Sequence, residues 1–369
     1  MRILVLGSYD RSLLEFRGEL IKAFIRSGHE VIAAAPDMSR ETESGLKEMG
    51  ATPVETPLDR TGVGPLADLK YLRIVMRLLR THRPDKILAY TMKPVIWGSL
   101  ASRLTGIGES NAMITGLGYA LTSGTWKQRL VSLIVRRLLR TALARSAVVF
   151  FQNPDDRDRF LELKLIDSRS RVVLINGSGV DTERFEASPV PDDPVFLMIA
   201  RLLEDKGVRE YAAAAASVRA RYPTARFDLA GWLDSNPRCI AQDELDGWTE
   251  SGVINFLGKL ADVRPAIRAC SVYVLPSYRE GTPRTNLEAM SMGRPVITTD
   301  APGCRETVEP EINGILVNVG DADSLADAMI AFLDGTHSAA EMGVNSRQIA
   351  ERKYDVHTVN RAVLDALGL

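Results

Sequence analysis

Two doubly wound α/β domains facing each other across a cleft are what this sequence predicts, on three features. Short, nearly all-apolar runs alternate with amphipathic helical stretches, the pattern of parallel strands buried on both faces. The alternation halts at a polar, proline-rich segment, EASPVPDDP (186–194), and then restarts. The length, 369 residues, suits two domains.

The first set of strands reads RILVL (2–6), EVIAAA (30–35), DKILAY (85–90), AVVFF (147–151) and RVVLI (171–175). One helical stretch, LLEFRGELIKAFIRSG (13–28), follows the first strand and is closed by Ser27 and Gly28. The second set reads VFLMIA (195–200), RFDLA (226–230), VINFLG (253–258), SVYVLP (271–276) and RPVITTD (294–300), and the alanine run 212–216 is the interior of a helix between them. The expected domains are 1–188 and 189–352, with a last helix, about 353–369, free to pack back on the first.

Bulk properties exclude several classes. Hydrophobic residues are 45% and charged residues 25%, ordinary for a domain with a full core. A net charge of −1 gives no general attraction to nucleic acid, and none is expected as a partner. Cys239, Cys270 and Cys304 are odd in number and far apart, which argues against a disulfide framework or zinc site and fits a reducing compartment. The opening MRILVLGSYDRS reads as a first strand, not a signal peptide. No apolar run approaches the roughly 18–20 residues of a spanning helix, so any membrane association is expected to be peripheral.

In doubly wound sheets ligands bind at the carboxyl ends of strands. There lies SYREGTPRTNLEAMSMG (277–293), a polar loop between an apolar strand and a helix ended by Gly293. Backbone N–H groups at the start of that helix favour anions, and Arg284 adds a planar cation suited to phosphate. Glu280 before the helix and Glu288 within it are spaced to grip different parts of one extended ligand. The second such loop, IARLLEDKG (199–207), puts Arg201 and Lys206 directly after the first strand of the second domain, where both cations can serve one phosphate group.

ARLLEDKG followed by EGTPRTNLEAMSMGRPVITTDAPGCRE resembles the family 4 glycosyltransferases of the GT-B fold, which has two Rossmann-like domains. Glu280 and Glu288 fall on that family's paired-glutamate motif. KPVIWGSLASRLTG (93–106), ITGLGYALTSG (114–124) and INGSGVDTERF (175–185) are similar to bacterial transferases that add an N-acetylhexosamine to undecaprenyl-diphosphate sugars. The resemblance implies a retaining, metal-independent hexosyltransferase without a cofactor. Its donor is a nucleotide sugar, expected to be UDP-linked, and its acceptor is a lipid-linked saccharide in cell-surface glycan synthesis. The second domain would bind the donor and the first the acceptor. Arg201 and Lys206 match the pair that binds the donor diphosphate, Glu280 the glutamate beside the transferred sugar, and Glu288 the one that holds the ribose. Gly281, Thr282, Pro283, Arg284 and Thr285 match the loop facing sugar and phosphate, and Gly258 and Lys259 the segment near the base.

On the acceptor side the expected residues are Gly7 and Ser8 after the first strand, Lys93, and Gly116, Gly118 and Tyr119. The last three stand in TGLGY (115–119), where many members place a histidine. None of His29, His82, His337 and His357 follows a strand. LGSYD lacks the glycine spacing of a dinucleotide site. The alternatives are a GT-B sugar-nucleotide epimerase or hydrolase, and a non-catalytic nucleotide-sugar-binding scaffold.

From Ser110 to Pro154 there are 45 residues without Asp or Glu. On a helix, Arg129, Arg136 and Arg140 form one stripe, with Val131, Ile134, Val135, Leu138 and Ala142 opposite and Trp126 at the start. A cationic amphipathic helix of this kind suits an anionic membrane surface. The expected location is cytoplasmic, on the inner face of the cell membrane.

Overall fold

The computed structural model describes residues 1–59, 64–116, 126–234 and 236–369, with the side chains of 65 and 126–131 outside the description. The chain forms two compact units: Met1–Ser178 with His357–Leu369, and Gly179–Val356.

The first unit holds a sheet of seven parallel strands in the order β3-β2-β1-β4-β5-β6-β7. They are β1 (Arg2–Leu6), β2 (Glu30–Ala35), β3 (Thr52–Glu55), β4 (Lys86–Tyr90), β5 (Glu109–Ile114), β6 (Val149–Phe151) and β7 (Val172–Leu174). Each predicted run lies in one of them. β3 and β5 were not predicted, because TPVE and ESNAMI are not continuous apolar runs. The stretch 13–28 is not one helix but two, α1 (Arg11–Glu15) and α2 (Gly18–Arg26). The N–H groups of Phe16 and Arg17 both return to the Ser12 carbonyl, and buried Arg17 sets its guanidinium 5.0 Å from the centre of the Tyr90 ring, so the chain turns there.

Two apolar layers cover this sheet. Ile3, Val5, Val31 and Ala33 pack with Leu13, Ile21, Phe24 and Leu46, from α1, α2 and α3 (Arg40–Glu48). On the other face Leu4, Leu6, Ile87 and Ala112 pack with Val75 and Leu79 of α4 (Pro65–His82), Val95 and Ile96 of α5 (Met92–Thr105), Leu139 and Leu143 of α6 (Trp126–Leu143), and Phe160 of α7 (Pro154–Glu162). Alternate strand residues point to opposite faces, so near-continuous apolar strands feed both layers.

The second unit has six parallel strands in the order β10-β9-β8-β11-β12-β13. These are β8 (Val195–Arg201), β9 (Arg226–Trp232), β10 (Asn255–Gly258), β11 (Val272–Leu275), β12 (Val296–Thr299) and β13 (Gly314–Val317). Between and after them run α8 (Val208–Arg221), α9 (Gln242–Glu250), α10 (Arg264–Ala269), α11 (Arg284–Ser291), α12 (Ala322–Leu333) and α13 (Ala339–Ile349). The last helix, α14 (Val356–Leu367), buries Val363, Ala366 and Leu367 in the core of the first unit.

The chain passes between units at Ser178–Gly179, ten residues before the expected boundary at 188/189. Residues 180–189 are tied to the second unit. Val180 and Val356 bridge the backbone, Phe185 enters the core, and the fully buried Arg294 guanidinium donates to the carbonyls of Ser188 (2.8 Å) and Pro189 (3.1 Å). A proline-rich composition reads as a linker, but these carbonyls satisfy a buried cation.

Candidate active site

The strand order reverses at β8/β11 in the second unit and at β1/β4 in the first, the points where such sheets bind ligands.

At β8/β11 two loops meet. Arg201 ends β8, and a 3-10 turn, Glu204–Lys206, leads to Gly207 and α8. Gly207 has φ +75°, and a Cβ there would lie 2.2 Å from the Pro276 carbonyl oxygen just after β11. Only glycine permits that approach. The Tyr278 N–H donates to the Asp205 carbonyl at 2.9 Å and the Ser277 hydroxyl oxygen lies 3.0 Å from it, locking the loops together.

The approach sets Lys206 beside Glu280. Lys206 Nζ lies 2.5 Å from Glu280 Oε1, and the Ser277 hydroxyl donates to the same oxygen at 2.9 Å. Both charged side chains are largely buried, so this pair is more strongly coupled than a surface one. The backbone of Glu280 is also fixed: its N–H donates to the Pro302 carbonyl at 2.9 Å, and Gly303, at φ +84°, passes so close that a Cβ would sit 2.1 Å from the Glu280 carbonyl oxygen. Beneath the loop, burial pushes the Cys304 thiol up to about 12 and keeps it neutral.

The α11 residues divide. Arg284 and Glu288 stand one turn apart and pair at 2.8 Å, with Glu288 only 6% exposed. Arg284, expected to face phosphate, thus has its Nε on a carboxylate of its own helix. Thr285 is half-buried, while Pro283 is buried at the N-cap. Gly281 and Thr282 remain half-buried at the loop's surface.

Arg201 is aligned with Trp232 across the β8/β9 pairing, and its Nη1 reaches Asp234 Oδ2 at 3.2 Å. Gly258 ends β10 at φ +68° with open space where a Cβ would stand. Lys259 follows it, with its ammonium 5.0 Å from the centre of the Trp232 ring. The structure therefore gathers Arg201, Lys206, Glu280, Glu288, Gly258 and Lys259 after the carboxyl ends of three strands of one sheet, β10, β8 and β11. Sequence reasoning missed Asp234, Ser277 and Gly303. Only Gly303 left a signal, a glycine within the APG turn after β12.

In the first unit Gly7 follows β1, and a Cβ there would meet the Tyr90 hydroxyl oxygen at 2.3 Å. Ser8 is buried and accepts from the Thr91 hydroxyl at 2.8 Å. Thr91, just after β4, has φ +66° and ψ 159°, a region nearly restricted to glycine; such strain marks functional sites. Sequence reasoning missed it because dihedral strain leaves no trace in composition. Lys93, expected to meet a diphosphate, bonds Asp68 Oδ1 (2.8 Å) and the Asp59 carbonyl (2.7 Å). Gly116 follows β5 at φ +141°. Gly118 and Tyr119 lie outside the described residues.

α6 is described only in part. The side chains of Trp126 and Arg129 lie outside the description. Among the others, Leu139, Ala142 and Leu143 are buried, Arg136 is half-buried and Arg140 exposed. Leu133 (65% exposed) and Ile134 (54%) face outward. The helix packs on the core through Leu139 and Leu143, with Val135 and Leu138 partly buried beside them.

Among the described residues no group of three or more His, Cys, Asp and Glu is arranged to hold a metal ion, and no helix is long and apolar enough to cross a membrane.

Residues 193–335 match the family described as Glycosyl transferases group 1, and residues 16–177 match a Glycosyl transferase 4-like domain. The chain is 26% identical over 378 aligned residues to the N,N'-diacetylbacillosaminyl-diphospho-undecaprenol alpha-1,3-N-acetylgalactosaminyltransferase of Campylobacter jejuni, covering 99% of this chain and 97% of that protein. It is 25% identical to the Escherichia coli UDP-Gal:alpha-D-GlcNAc-diphosphoundecaprenol alpha-1,3-galactosyltransferase, over 73% of this chain and 71% of the relative. The fold is shared with Anabaena HepE crystallised with UDP, at TM-score 0.79, 20% identity and full coverage of both chains.

Proposed function

Since this chain belongs to the glycosyltransferases of the GT-B fold, we propose that it transfers a hexose or N-acetylhexosamine from a UDP-sugar to an undecaprenyl-diphosphate-linked saccharide, with retention and without a metal ion. The observation that carries the reading is the Lys206–Glu280 pair at the β8/β11 reversal, with Arg201 on the same strand ends.

In this reading Lys206 and Arg201 receive the donor diphosphate. Each already faces a carboxylate, Glu280 and Asp234, so both cations are held in place before any anion arrives. As the bond from anomeric carbon to phosphate oxygen breaks, negative charge grows on the diphosphate, and fixed cations in a partly buried site stabilise it most where the charge is greatest. The acceptor hydroxyl oxygen forms the new bond, and its proton leaves with the diphosphate. Glu280, anchored through its backbone and through Ser277, positions the transferred sugar. Glu288 holds the ribose, and Gly258 and Lys259 border the base. Gly281, Thr282, Pro283, Arg284 and Thr285 form the loop beside sugar and phosphate. Gly7, Ser8, Lys93, Gly116, Gly118 and Tyr119 serve the acceptor, with strained Thr91 added to that set. Because the acceptor carries a polyprenyl chain, the enzyme works on the inner face of an anionic membrane, with α6 against the lipid.

The test is a panel of UDP-, GDP- and ADP-sugars with an undecaprenyl-diphosphate saccharide, with and without EDTA. The expected result is nucleotide release from one UDP-sugar that requires the acceptor and is unaffected by chelation. Free sugar and nucleotide released equally without acceptor would instead support an epimerase or hydrolase.

A further inference from the structure

The two helical layers of the first unit differ sharply in charge. α1, α2, α3 and α14 together carry six Lys and Arg and six Asp and Glu, so that face is balanced. α4, α5 and α6 carry eleven Lys and Arg against one carboxylate, Asp68, so this face is basic in a chain of net charge −1. That single acid is already paired with Lys93. α7, beyond α6, restores acids and bounds the patch.

α4 is the strongest part of it. Lys70, Arg73, Arg77 and Arg80 recur every three or four residues and are all exposed, so they form one outward stripe. Among the described residues none of them has a carboxylate within ion-pair distance. Like charges one turn apart disfavour a helix, so the stripe is not explained by the stability of α4 itself. At the top of the stripe Leu66 is 85% exposed and Leu69 is exposed too. α5 packs between α4 and α6, and α6 adds exposed Leu133 and Ile134 beside Arg137 and Arg140; α5 adds exposed Arg103 and Leu104. The three helices cover one face of one sheet, so their outer sides share a direction. Crossover helices run against their strands, which brings Leu66 and Leu69 to the carboxyl edge where Gly7, Ser8 and Thr91 lie.

We infer that the α4–α6 layer, with the α4 stripe as its main contact, is the surface by which this protein docks on an anionic lipid bilayer. The inference rests on the peripheral-membrane reading above and moves its main contact from α6 to α4. Basic side chains draw the face to lipid headgroups, and exposed leucines enter the interface. The same leucines disfavour a nucleic acid partner, which offers phosphates but no apolar layer. Docking on this face brings the carboxyl edge of the first sheet close to the lipid, where a polyprenyl diphosphate headgroup stands.

The test uses the full chain and co-sedimentation with phosphatidylcholine vesicles, with and without phosphatidylglycerol, at low and high salt. The variant replaces Lys70, Arg73, Arg77 and Arg80 by Gln, a good helix former at exposed positions. The wild type should bind only the phosphatidylglycerol vesicles and release in salt. The variant should bind roughly 600-fold more weakly, since each of the four basic residues near the surface contributes about fivefold. Its melting temperature and its affinity for UDP should match the wild type. A variant that binds phosphatidylglycerol vesicles like the wild type overturns the assignment to α4 and leaves docking through α6 standing. A wild type that ignores both vesicles removes the membrane reading altogether. Binding to a polynucleotide as tight as to phosphatidylglycerol overturns the choice of lipid as partner.

Discussion

The two units use charge in opposite ways. At the strand ends of the second unit three cations each meet a carboxylate: Lys206 with Glu280, Arg201 with Asp234, Arg284 with Glu288. On the α4–α6 face of the first unit Lys70, Arg73, Arg77 and Arg80 stand exposed and unpaired among the described residues. Paired, half-buried charges are held in place and act over a few ångströms, where the local dielectric is low. Unpaired surface charges fix nothing but project a field about a Debye length into solvent, roughly 10 Å at ordinary salt. The first arrangement suits stabilisation of one developing charge, the second attraction to an extended anionic surface.

The contrast breaks most sharply at Lys206 and Glu280. Lys206→Ala and Glu280→Gln should each lower kcat by about 10²–10³-fold, the loss typical for one preorganised electrostatic group. Steady-state rates with a fixed acceptor check this, and two variants with near-normal kcat would mean the pair is only structural. Because the pair acts as a unit, the double variant should lose little more than either single one.

A stability experiment probes how the pair is built. Gly207→Ala places a methyl against the Pro276 carbonyl at a positive φ, so it should cost about 2–4 kcal/mol in urea unfolding. Gly258→Ala, also at positive φ but in open space, should cost about 1–2 kcal/mol, the backbone part alone. Equal losses would mean the close approach of the two loops is not what demands glycine.

The smallest effect sharpens the comparison from the other side, at a first-unit charge that is paired. Asp10 accepts from Ser39 N–H at 3.2 Å and from the Thr42 hydroxyl at 2.9 Å. Burial alone would raise its pKa, but these hydrogen bonds outweigh burial and hold it below the ordinary value. A lowered folded-state pKa adds stability above the unfolded value, near 3.9, and that stability is lost as pH falls through the folded one. Asp10→Asn should therefore cost about 1 kcal/mol at pH 7, with the gap to wild type narrowing as pH falls below the unfolded value. Unfolding midpoints across pH measure it.

Legibility followed the same division. Glu280, Glu288, Arg201 and Lys206 stand in two short contiguous stretches directly after apolar strands, and the structure puts those strands side by side. Asp234 lies 33 residues from Arg201 in the chain and carries no local signal. On the acceptor side Lys93 looked available, but its carboxylate, Asp68, comes from a different helix, 25 residues away.

By itself the sequence determined the parallel strands that carry long apolar runs, because burial on both faces leaves no place for polar residues, and the glycines and charges that follow them. Tertiary structure decided everything that depends on pairing across the chain. It chose which carboxylate meets which cation, tied the proline-rich segment to a buried Arg294, strained Thr91, and left the α4 stripe facing outward. These outcomes depend on distances between residues far apart in sequence, and only the folded sheets bring them within hydrogen-bonding range.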